Sequence, residues 1–204
     1  AAGLGGGSSD AGAALRLAAE VLGLAAGDPA LAAAARDIGA DGPMCLFPRT
    51  AWAEGRGERL TPEPRLPELS VVLVNPGVPS PTGPVYRAYD QAPLGEARRP
   101  APPEDWTPRA TAAWLEEQRN DLEAPALALA PDIGLALDAV RATQGVLLTR
   151  MSGSGATVFG LYADAAAARA AADRLASARA GWWVRAGRLG GAQDHGKVSG
   201  DNQA

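Results

Sequence analysis

Residues 69–74 (LSVVLV) constrain the fold most. The run is too short to span a bilayer and is bounded by proline-rich sequence, so it reads as a buried strand. The chain beyond it is equally legible. Thr107-Pro108 starts a helix, with a capping hydroxyl followed by proline at the first helical position. Helical patterning continues over residues 122–129 and 133–142 and is closed by Gly145. Residues 146–151 and 157–162 are two further strands, joined by the loop SGSGA. An alanine-rich helix over 164–180 and a last strand over 182–186 complete the segment. Strand, helices, strand, strand, helix, strand is the split order of a ferredoxin-like domain, so the chain is expected to be α+β.

Upstream of this unit, Asp10 to Leu22 is rich in alanine and leucine and reads as a helix, with Ser8, Ser9 or Asp10 able to cap its first turn. Asp28-Pro29 opens a second helix that ends near Gly39. Residues 49–61 (RTAWAEGRGERLT) suggest two short strands about Gly55 and Gly57. Pro62, Pro64 and Pro67 then mark a boundary. Two domains are expected, 1–64 and 65–192, followed by a polar tail at 193–204; residues 91–105 are expected to form an exposed loop.

Composition removes several classes of function. The chain has 204 residues, 47% apolar and 21% charged, enough for a sizeable core. A net charge of −4 gives no electrostatic footprint for nucleic acid or an anionic membrane. Cys45 is the single cysteine, which excludes an internal disulfide and a multi-cysteine metal site and fits a reducing, cytoplasmic setting. His195 and Lys197, the single histidine and lysine, both lie in the polar tail, a poor place for catalytic groups.

Four segments could carry chemistry. Gly3-Leu4-Gly5-Gly6-Gly7-Ser8-Ser9 runs into a helix. Glycines allow close backbone approach, and the helix start offers free N–H groups and the positive end of a dipole, which together suit phosphate. A flexible linker is the plain alternative. No lysine follows in the manner of a P-loop. Asp41, in Gly39-Ala40-Asp41-Gly42-Pro43, could accept a proton from a substrate hydroxyl, or could simply bond its own turn. Gly153-Ser154-Gly155 could approach phosphates from the other side, or close an ordinary hairpin. Asn120-Asp121-Leu122-Glu123 is best read as a helix cap.

Read together and in order, AGLGGGSSDAGAAL, GADGPMCLFPRTAWAEGRGERLTP, VLVNPGVPSPT, RNDLE and RMSGSGATVFGLY resemble the GHMP kinase superfamily, over residues 2 to about 190. The resemblance implies an N-terminal domain of ribosomal-protein-S5-like fold, of which this chain keeps a remnant, ahead of the ferredoxin-like domain. It implies transfer of the ATP γ-phosphate to a small-molecule hydroxyl, with Mg²⁺ accompanying ATP and no metal ligands assignable. Gly3, Leu4, Gly5, Gly6, Gly7, Ser8 and Ser9 would hold the ATP phosphates, Gly153, Ser154 and Gly155 would close over them, and Asp41 would be the proton-abstracting aspartate. Gly42 stands where the family usually has valine, which implies a looser turn at Asp41. The family's catalytic lysine would lie upstream of Ala1, so the chain is expected to be the C-terminal two-thirds of a longer kinase and inactive by itself. Other kinases of the same superfamily, or a nucleotide-binding protein without turnover, would share most of these features. Nothing in the sequence fixes an oligomeric state.

Overall fold

A computed structural model describes residues 3–25, 27–93, 95 and 99–190. The expected polar tail at 193–204, with His195 and Lys197, lies outside the described residues.

The chain starts with three helices: α1 (Gly6–Leu22), α2 (Pro29–Ile38) and the short α3 (Gly42–Leu46). A hairpin of β1 (Ala51–Glu54) and β2 (Arg59–Pro62) comes next, pairing Ala51 with Pro62 and Glu54 with Arg59. The second part is β3 (Leu69–Asn75), α4 (Thr82–Asp90), α5 (Pro108–Glu116), α6 (Glu123–Leu129), α7 (Asp132–Arg141), β4 (Val146–Met151), β5 (Val158–Tyr162), α8 (Ala165–Ala178) and β6 (Trp183–Leu189). Its four strands lie in the order β4-β5-β3-β6, all neighbours antiparallel. That is the ferredoxin-like arrangement read from the strand order.

The apolar run does become the heart of this sheet. β3 pairs with β5 on one side and β6 on the other, and Val72 and Val74 are fully buried. On one face Val72, Val74, Val158 and Val184 pack against Ile133, Val140, Ala168 and Leu175 of α7 and α8. On the other, Leu69, Val71, Leu148 and Leu161 meet Ala112 of α5. A third, separate cluster joins Ala19, Leu31, Ala35 and Leu46 of the three N-terminal helices.

Local caps behave as their chemistry dictates. The side chains of Asp28, Thr107 and Asp164 accept from the N–H groups of Ala30, Ala110 and Ala167. Four boundaries differ from expectation. α1 begins at Gly6 rather than Asp10, its N-cap is Gly5, and no side chain caps it, so neither serine nor Asp10 plays that part. The turn after Gly39 winds into α3. α4 occupies a stretch that carries Gly83 and Pro84, and Pro84 falls in its first turn, where its missing N–H costs nothing. β6 runs on to Leu189 because the β3 ladder continues to pair it there.

Residues 99–107 form no regular element, as expected, yet they are not detached from the body. The Arg99 guanidinium lies over the Trp52 ring, 4.4 Å from its centroid. Trp52 meets Trp114 edge-on at 5.6 Å, Trp114 meets Trp106 at 6.1 Å, and Arg65 lies over Trp106. Buried Glu63 sits beside this stack, accepting from both Arg65 nitrogens at 2.7 Å and from Trp52 Nε1 at 3.2 Å. The hairpin is thereby fastened to α5. Bonding to Arg65 is the main reason the Glu63 carboxyl titrates at about 2 instead of 4.5; burial opposes it, and the Trp52 N–H adds to it.

Candidate functional site

Three predicted segments converge at one place. Gly3 and Gly5 both have left-handed backbones, φ 71° and 60°, which turn the chain sharply into α1. Only the Gly3–Gly5 part of the predicted loop lies outside the helix; Gly6, Gly7, Ser8 and Ser9 are already its first turn. Ser9 N donates to the Gly5 carbonyl at 2.8 Å, whereas the N–H groups of Gly6, Gly7 and Ser8 have no acceptor within the helix and sit at the positive end of its dipole. A side chain added at Gly6 or Gly7 would meet nothing within 4 Å, so the space over them is open. Leu4 is partly exposed beside them. An anion can approach here without displacing protein atoms.

The second glycine loop lies directly against the first. Ser152 Oγ donates to the Gly3 carbonyl at 2.6 Å. A Cβ on Gly3 would strike the Ser152 carbonyl and come within 2.7 Å of the Gly155 carbonyl oxygen, so only glycine permits this approach. Gly153 and Gly155 have φ 53° and 83°, while Ser154 is buried between them. The loop is braced from beneath: Ser80 Oγ donates to the Ser154 carbonyl at 2.6 Å, and Thr82 Oγ1 and Ser154 Oγ share a hydrogen bond at 3.0 Å. Asn75 Nδ2 donates to Thr157 Oγ1 just beyond it. Sequence reasoning missed Ser80 and Thr82, which are some seventy positions from the loop they hold. The one local hint was the Ser/Pro/Thr-rich run at 79–82, and that reads equally as a plain turn.

Asp41 is brought to the same place. It is the N-cap residue of α3, but its side chain caps nothing. The turn-bonding alternative for this aspartate therefore loses its basis. The carboxylate is exposed, and Oδ2 lies 3.7 Å from where a Cβ on Gly5 would be. Two other glycines fix its position. A Cβ on Gly12 of α1 would strike the Cys45 carbonyl, and one on Gly42 would strike the Ala35 carbonyl. α3 is therefore clamped tightly between α1 and α2, with Arg16 Nη1 donating to the Cys45 carbonyl at 2.6 Å near the end of α3. The expectation that Gly42 loosens the Asp41 turn is overturned: at this backbone spacing glycine is what lets the turn close.

The predicted cap is not formed: the N-cap of α6 is Leu122 and no side chain caps the helix, while Asn120 Oδ1 closes the turn just before it by accepting from Leu122 N at 3.1 Å. The Asn120 amide also reaches the second glycine loop. A cleft of about 520 Å³ along the free edge of β4, lined by Glu116, Arg119, Arg141 and Arg150 among others, shares Asn120 with this region but none of the glycines or Asp41. Convergence of the loops, rather than cleft size, marks the site. Among the described residues no group of three or more His, Cys, Asp and Glu could hold a metal, and no helix is long and apolar enough to cross a membrane.

The chain is similar to known proteins over most of its length. Residues 110–180 match the family "GHMP kinases C terminal". The chain is 57% identical over 192 residues to a 4-diphosphocytidyl-2-C-methyl-D-erythritol kinase of Caulobacter vibrioides, covering 93% of this chain and 66% of that protein. It is 51% identical over 197 residues to the protein of the same name from Hyphomonas neptunium, covering 94% and 65%. A crystal structure of 4-(cytidine 5'-diphospho)-2C-methyl-D-erythritol kinase superposes with a TM-score of 0.75 at 42% identity, over 94% of this chain and 67% of that one. The chain thus spans about two-thirds of the length of the relatives it matches.

Proposed function

The chain belongs to the GHMP kinases, in the branch of the 4-diphosphocytidyl-2-C-methyl-D-erythritol kinases, and from that premise we propose that the full-length protein transfers the γ-phosphoryl group of ATP to the 2-hydroxyl of 4-diphosphocytidyl-2-C-methyl-D-erythritol, in the cytoplasm, on the non-mevalonate route to isopentenyl diphosphate. One observation carries the reading. A glycine turn opening a helix, a second glycine loop packed on it, and an uncapped carboxylate come together within van der Waals reach, although they lie far apart in sequence.

In this reading residues 1–64 complete the nucleotide half and residues 65–192 the second domain, the separate apolar clusters of the two parts supporting that division. Gly3 to Ser9 hold the ATP phosphates by backbone N–H groups and helix dipole, and Ser152 to Gly155 fix the height of that turn. Asp41 orients the attacking hydroxyl and takes its proton as the new O–P bond forms and the bond to ADP breaks. Catalysis is then mainly positioning plus charge stabilisation, as is general for phosphoryl transfer. Mg²⁺ bound with ATP would supply charge neutralisation on the phosphates.

The test is ADP release by the full-length protein given ATP and the cytidylyl substrate, with homoserine, mevalonate and a sugar as controls. Asp41→Asn is expected to lower kcat by about 10²–10⁴-fold while leaving ATP affinity within about threefold. Wild-type turnover in that variant removes Asp41 from the mechanism. Turnover on a control alcohol alone moves the protein to another branch, and tight ATP binding with no turnover on any alcohol makes it a non-catalytic nucleotide binder.

A further inference from the structure

The loop Ser152–Gly155 contains two left-handed glycines; Ser152 N donates to the Thr157 carbonyl and Gly155 N to the Ser152 carbonyl, both at 2.9 Å, and Ser80 and Thr82 brace its middle. The start of α6 holds its other end. Asn120 Nδ2 donates to two carbonyls of the loop and its stem, Met151 at 3.0 Å and Gly153 at 2.8 Å. Glu123 Oε2 accepts from Met151 N at 3.0 Å, so Met151 is held by both its backbone groups from one helix start. Asn120 is itself fixed by its own Oδ1 bond to Leu122 N. The held loop then reaches Gly3 through Ser152 Oγ. A continuous chain of bonds therefore runs from α6 to the turn over which the phosphates are proposed to sit.

We propose that Asn120 is a positioning residue for the nucleotide: it sets the height of the second glycine loop against the first, and so governs ATP affinity without touching ATP. This rests on the kinase reading and adds to it a residue that lies outside both loops. The amide is suited to the task because one side chain must accept from the Leu122 N–H, in the turn before α6, and donate to two carbonyls at once, which neither a carboxylate nor a hydroxyl can do.

The decisive comparison uses Asn120→Asp in the full-length protein. The substitution keeps the size and the turn-closing oxygen, removes the donor, and sets a carboxylate oxygen against two carbonyls. The expected result is an ATP dissociation constant raised about tenfold or more, a KM for the alcohol substrate within about threefold, and a Tm lowered by no more than a few degrees. Should that variant not fold, Asn120→Ser, which keeps a turn-closing oxygen without the long donor, is read the same way. Ser152→Ala cuts the next bond in the chain, and in its background Asn120→Asp is expected to cost less than about threefold further, because both act through one loop. Unchanged ATP affinity with a lowered Tm would reduce Asn120 to a turn-closing residue and overturn the proposal, as would losses that multiply in the double variant. A wild-type protein that binds no ATP overturns the kinase reading and this inference with it.

Discussion

Gly3→Ala isolates the contact between the two glycine loops. The backbone at residue 3 has φ 71°, and an alanine held there costs about 1–2 kcal/mol relative to its preferred conformation. The new Cβ would also overlap the Ser152 carbonyl and crowd that of Gly155. Both are backbone atoms, so no rotamer change relieves them, and overpacking of this kind costs about 1–3 kcal/mol. Together that is roughly 2–5 kcal/mol, more than the ~1 kcal/mol that the Ser152–Gly3 hydrogen bond contributes. The loops are therefore expected to part rather than tolerate the methyl group. The expense should appear chiefly in function: an ATP dissociation constant raised at least about 30-fold, the equivalent of about 2 kcal/mol. Calorimetric titration with ATP beside a thermal melt would measure both. Gly181→Ala is the control, since its Cβ meets nothing, its backbone is not left-handed and it lies outside both glycine loops; its ATP affinity should match wild type and its Tm should hold or rise slightly. ATP affinity within about threefold of wild type in Gly3→Ala would refute the claim that this contact shapes the nucleotide site.

Two further outcomes are expected from the packing around the site. Gly42→Val installs the residue usual in the family, yet it should destabilise the protein by about 1–3 kcal/mol and lower kcat, because its Cβ would strike the Ala35 carbonyl; a variant as stable as wild type in a denaturant titration would show that α2 and α3 have room to spare. Glu63 has its folded-state pKa depressed from 4.5 to about 2, so its contribution to stability is complete above pH 4.5 and is lost as pH falls toward 2. The Tm of wild type should accordingly decline more steeply across that window than the Tm of Glu63→Gln, and parallel Tm–pH curves would dissociate Glu63 from acid sensitivity.

Features set by local chemistry were readable from sequence. Asp28-Pro29, Thr107-Pro108 and Asp164 announce helix starts because the capping group and the N–H groups it satisfies are two or three residues apart. The sheet order came from the sequence of apolar runs and the short connection between β4 and β5. What escaped was decided at a distance. Gly6 to Ser9 are poor helix formers and become helical where α1 packs on α3, through contacts that local propensity does not encode. α3 is only five residues long and starts with Gly-Pro, so nothing in its composition distinguishes it from a turn. Asp41, the proposed base, was only one of two readings until the resemblance raised it; its own surroundings read as a turn, and the structure shows the carboxylate uncapped and facing Gly5. Asn120 was half legible: its bond to Leu122 is two residues long, while its bonds to Met151 and Gly153 span more than thirty.

The central place of β3 in the sheet has a consequence for synthesis. Its pairing partners are β5 and β6, and the ladder with β6 joins Leu69 to Leu189. At roughly 5–20 residues per second, a ribosome takes about 6–24 s to travel from one to the other. Until β5 is made LSVVLV is an apolar segment with both backbone edges bare, and its β6 edge stays bare for all of that time, a template that any other nascent chain could join. Expression yield should therefore depend on how well chaperones shield residues 69–75 during those seconds, more than on the stability of the finished sheet.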